Sequence, residues 1–147
     1  MGGKRGFTIL EMMVVIALGV ILTQMTIKGF STVSDRFSAR EARNVYQGLL
    51  ARTRAQAIEG GGRTLLLTDT KGDSVMVFAG GRITETVRFR EEMGVDLQPE
   101  LGMVRICMTP RGYADPKCNS FNSSMKLSFI RGPKREDIEI LPLGQIK

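Results

Sequence analysis

The chain has 147 residues, 42% hydrophobic and 24% charged, with a formal charge of +6, no histidine and two cysteines. That length suits one folded domain plus an appended segment, and that composition is not a disordered chain's. Without histidine, most transition-metal sites and every His-based nucleophile fall away. The scattered aspartates lack metal-loop spacing, and no glycine-rich phosphate loop follows a strand. No cofactor, no metal and no enzymatic activity are expected.

A basic leader, residues 1–6, runs into an apolar stretch, 7–27, whose only ionisable side chain is Glu11. At 1.5 Å per residue such a helix covers about 30 Å, the thickness of a bilayer's hydrocarbon core. A carboxylate there costs on the order of 3 kcal/mol on the insertion scale, so Glu11 needs a partner. Cleavage after Gly6 would supply one, because the new amine on Phe7 would lie one helical turn before Glu11. The plainer alternative is an uncleaved anchor that tolerates an acid near the headgroups. Lys4 and Arg5 place the leader in the cytoplasm and the rest of the chain outside. Their loss with the leader takes the charge from +6 to +4, which is weak support for an anionic partner.

Beyond the membrane segment, 28–59 turns amphipathic. Phe30, Val33, Phe37, Ala42, Val45, Tyr46, Leu49 and Leu50 recur at helical spacing between charged residues, until Gly60-Gly61-Gly62 stops the helix. From 60 to 147 the periodicity is that of strands: 64–68, 75–78, 83–89, 104–108, 125–129 and 138–141. These short strands, joined by glycine and proline turns, predict an α+β fold. A long N-terminal helix, transmembrane in its first half and amphipathic in its second, packs against an antiparallel β-sheet domain.

Cys107 and Cys118 enclose a turn-rich loop and, outside the cytoplasm, predict a disulfide, with two buried free thiols as the alternative. Basic residues fall in loose groups: Arg82, Arg88 and Arg90; Arg111 and Lys117; Arg131, Lys134 and Arg135. Solvated surface is the ordinary explanation of such groups.

Lys4-Arg5-Gly6-Phe7-Thr8-Ile9-Leu10-Glu11 with the apolar run behind it resembles the class III signal of type IV pilins and type II secretion pseudopilins. The resemblance implies that a prepilin peptidase cuts after Gly6 and methylates Phe7. It also implies that Glu11 docks each subunit on its neighbour. The segments 47–58, 106–112 and 140–146 look, more loosely, like the helix end, a strand and turn, and the closing strand of GspH/FimT-type minor pilins. The implied function is a minor pilin or pseudopilin that helps initiate a type IV pilus or a type II secretion pseudopilus. Its implied place is the bacterial inner membrane, with the globular domain periplasmic, and then the filament. The implied partners are other major and minor pilins, the peptidase, the inner-membrane assembly platform and lipid.

FimT-type relatives include DNA receptors of natural transformation, which makes a pilus-borne DNA receptor the alternative function. That resemblance points to Arg111, Lys117, Lys134, Arg135 and Lys147 as DNA contacts. The subfamily's basic loop, Gly-Arg-x-Arg, matches Gly144-Gln145-Ile146-Lys147 here, with one charge surviving. A third reading, an enzyme on a membrane stalk, lacks a catalytic constellation.

Overall fold

The computed structural model describes residues 8–147, without the side chains of 25–32. The chain forms two units, one ending at Ser34 and one spanning Asp35–Lys147, and helix α1, Ile9–Glu59, contributes to both. In the first unit Thr8 opens the helix. Its Oγ1 accepts the backbone N–H of Glu11 at 3.2 Å, satisfying one of the donors that a helix start leaves bare. Every described large apolar side chain from Ile9 to Leu22 is exposed. Among the described residues no helix is long and apolar enough to cross a membrane. Helix α1 covers 9–27 of the predicted span, about 28 Å of helix. The start of that span, Phe7, and the leader residues 1–6 lie outside the described residues.

In the second unit α1 buries Ala39, Ala42, Tyr46, Leu49, Leu50, Thr53 and Ala57, a stripe at the 3.6-residue period. This corrects the sequence expectation at Val33 and Phe37, which are 67% and 71% exposed. The stripe starts instead at two alanines, Ala39 and Ala42. At its other end Gly60 N–H bonds Gln56 O at 3.0 Å, and Gly61 turns the chain at φ +59°. That is the left-handed conformation glycine adopts without cost.

All the strands pair antiparallel, in two sheets rather than one. The four-stranded sheet has β1 (Thr64–Asp69), β2 (Ser74–Ala79), β3 (Arg82–Arg88) and β5 (Val104–Met108), in the order β3-β2-β1-β5. Gly80-Gly81, both at positive φ, makes the two-residue turn between β2 and β3. A short helix, α2 (Phe89–Met93), then leads to β4 (Asp96–Pro99). With β6 (Met125–Arg131) and β7 (Lys134–Ile140), β4 forms the second sheet, ordered β4-β6-β7.

Tyr46 ties the helix to both sheets. Its ring meets Phe129 of β6 edge-on at 5.7 Å, and its hydroxyl shares a 3.2 Å hydrogen bond with Thr68 of β1. Asp73, in the β1–β2 turn, joins one sheet to the other, because its buried Oδ1 accepts the N–H of Leu97 in β4 at 2.8 Å.

Both outer flanks near the C-terminus are closed by loops. A disulfide joins Cys107 and Cys118, whose Cα atoms are 5.8 Å apart. Residues of its loop bond the free edge of β5: Cys107 N–H donates to Asn119 Oδ1, and Asp115 N–H donates to Cys107 O. Ile146 bridges to Ile140, and Lys147 exchanges backbone hydrogen bonds with Glu139, covering the end of β7.

Candidate assembly segment and basic surface

Glu11 sits in the first turn of α1, the end of a helix that favours negative charge. Thr8-Ile9-Leu10-Glu11 has the spacing of a capping box, and the Thr8 half of that box is formed. The sequence reading took Thr8 only as part of the motif and missed this role. The signal was present in the Thr-x-x-Glu spacing. Around Glu11 stand Leu10, Met12, Met13 and Val14, all exposed. One carboxylate on so bare an apolar surface can act as a register mark for whatever covers that surface.

Residues 1–23 match the family model described as the prokaryotic N-terminal methylation motif. The fold is similar to that of the type IV minor pilin FimU of Pseudomonas aeruginosa in two crystal forms. One form aligns at TM-score 0.55 and 14% identity, over 78% of this chain and 90% of that one. The other aligns at TM-score 0.52 and 14% identity, over 74% and 90%. The fold is pilin-like. No curated protein matches its sequence.

The pilin-like domain separates Lys134 and Arg135 from Lys147 and sets Arg111 and Lys117 in turns of their own. Arg111 lies in the tight turn closed by Gly112 N–H to Thr109 O, and Gly112 packs on Ile58 and Arg54 of α1. Lys117 is in the disulfide loop, its N–H held by Asp115 Oδ1. Lys134 and Arg135 begin β7, whereas Lys147 pairs with Glu139 near the end of that strand. Four residue steps along the strand separate Arg135 from Glu139, about 13 Å. Arg135 is also occupied by Asp137, at 2.8 Å. That hydrogen bond holds the Asp137 carboxyl below its ordinary range.

Other basic residues serve the fold. Arg131 binds Ser38, the Met93 carbonyl and Asp35, fastening α1 to the β6–β7 turn and the end of α2. Arg52 pairs with Glu85 at 2.6 Å, and Arg90 with Asp73 and Asp96. Two further arginines, Arg43 and Arg54, flank the closing loop beside Lys147. The sequence reading passed over both, because on a helix they read as an ordinary solvated face.

Proposed function

We propose that this pilin-like chain is a minor pilin or pseudopilin of the GspH/FimT type, a structural subunit rather than an enzyme. On this reading a prepilin peptidase removes residues 1–6 and methylates Phe7. The apolar half of α1 waits in the inner membrane with its N-terminus cytoplasmic. It then packs among other pilins as the assembly platform adds subunits. The observation that carries the reading is Glu11, capped by Thr8, amid an apolar helix surface exposed from Ile9 to Leu22. Such a surface requires lipid or neighbouring chains, and a carboxylate within it requires a partner. The DNA-receptor reading has less support, since Lys134 and Arg135 lie about 13 Å or more along β7 from Glu139, the residue Lys147 pairs with.

Glu11→Ala tests the proposal. Removing a charge that is costly in lipid should leave membrane insertion intact. Incorporation, scored by co-purification with other pilins, should fall at least tenfold. Normal incorporation of the alanine variant would refute the assembly role. Intact-mass measurement gives the second check, with a mature chain expected to begin at a methylated Phe7.

A further inference from the structure

Arg43, Gln47, Leu50 and Arg54 follow one another at helical spacing and share one face of α1. With Gln145 and Lys147 of the closing loop they line an open recess of about 560 Å³. Its walls are fixed. Arg54 Nη2 donates to Gly144 O at 2.7 Å, and Asn119 Nδ2 donates to Pro142 O at 2.9 Å. Leu141 N–H bonds Gln145 O, and Gly144 N–H bonds Leu141 O. Leu50, almost fully buried, gives the recess an apolar floor.

The polar side of the recess is incomplete. The Nε–H groups of Arg43 and Arg54 are both buried and have no acceptor. Buried donors in folded proteins are almost always paired, and no carboxylate side chain is among the described lining residues. Two arginines and a lysine therefore line one space, and of these three Arg43 has a carboxylate partner in Glu136.

We infer that this recess receives a carboxylate side chain, flanked by an aliphatic residue, from a neighbouring protein subunit. The inference rests on the subunit role proposed above. Guanidinium groups present planar paired donors that match a carboxylate, and Ile146, partly exposed in the lining, offers contact to the aliphatic neighbour. A nucleic acid fits less well. Glu136 stands at the rim, 3.7 Å from Arg43 and 3.3 Å from Arg40. Its charge offsets part of the arginines' charge, which leaves fewer cations for a run of phosphates. No aromatic ring is among the described lining residues to stack a base.

The test uses the full chain in nonionic detergent at low salt and fluorescence anisotropy of three labelled probes. These are the peptide acetyl-Leu-Glu-Leu-Glu-Leu-amide, its counterpart with glutamine for glutamate, and a short DNA duplex. The glutamate peptide should bind saturably and the glutamine peptide at least tenfold more weakly. Arg43→Gln and Lys147→Gln should each weaken the glutamate peptide at least fivefold, and Lys147→Gln should do so without moving the thermal midpoint. Equal binding of the two peptides, or saturable binding of neither, overturns the inference. So does a duplex that displaces the peptide and is lost in the same variants, which assigns the recess to nucleic acid. Co-purification of the wild-type chain with other pilins is scored alongside. Its absence refutes the subunit role, whereas wild-type incorporation with indifferent peptide binding refutes the recess alone.

Discussion

Replacing Asp73 with alanine tests the joint between the two sheets. The Asp73 carboxylate is 2% exposed; its Oδ1 accepts Leu97 N–H. Its Oδ2 lies 2.7 Å from Arg90 Nη2 but lacks the alignment of a hydrogen bond. Alanine leaves the buried Leu97 N–H without an acceptor, a loss of about 1–3 kcal/mol. The Arg90 side chain is 62% exposed, so the ion pair itself adds at most about 1 kcal/mol after screening. Asp73 also holds φ +44°, a conformation that costs alanine roughly 1 kcal/mol. The total is about 3 kcal/mol, or a fall in the unfolding midpoint on the order of 10 °C for a domain of this size. Asp73→Asn keeps the acceptor and tolerates positive φ, and should lose only about 1 kcal/mol. Thermal unfolding of the detergent-solubilised chain, followed by circular dichroism, reads both variants. An alanine variant as stable as wild type would refute the joint, and an asparagine variant as weak as the alanine one would refute the division of its energy.

Burial pushes the Tyr46 hydroxyl up to about 12, with its hydrogen bond to Thr68 acting the other way. The fold thus favours the neutral ring, so this stability is whole below about pH 10, the unfolded value, and is lost as pH rises toward 12. Tyr46→Phe should flatten that alkaline loss, as denaturant titrations across the range would show, at about 1 kcal/mol of stability near neutral pH. Replacing both Cys107 and Cys118 with serine should cost roughly 3 kcal/mol by the chain-entropy model for a loop of this length, read as a lower denaturant midpoint. At Gly144 (φ +79°) an added Cβ would meet Met108 Cε at 2.8 Å and Ala114 Cβ at 3.0 Å. Gly144→Ala should therefore lower stability by about 1–3 kcal/mol in the same unfolding assay.

The fold class was legible because its signals are redundant. Helical spacing of Tyr46, Leu49 and Leu50 and alternation in 104–108 and 125–129 each point one way, and the structure buries those residues. What escaped was written in polar residues. The first half of β7, Lys134 to Asp137, has no apolar alternation. It is a strand because it pairs with β6 while Arg40 and Arg43 hold Glu136. Phe89 reads as the end of a strand, yet it opens α2, because its ring is buried near Phe129 at 6.1 Å. Strand β4 is only four residues long and contains a proline. Its place depends on Asp73, 24 residues away, a partner that no local pattern can name. The basic recess was hidden for a similar reason, since Arg43 and Arg54 become neighbours of Lys147 only when the closing loop returns to the helix.

The way the disulfide loop lies along β5 makes one covalent bond a guard against self-adhesion. A bare sheet edge is a template on which another chain can add a strand, and here Asp115, Asn119 and Ser120 occupy that template from within. Reduction of Cys107–Cys118 would loosen the loop before the sheet itself melts. The first effect of a reducing environment would then be a folded molecule with a sticky side, which clumps at temperatures where it is still largely native.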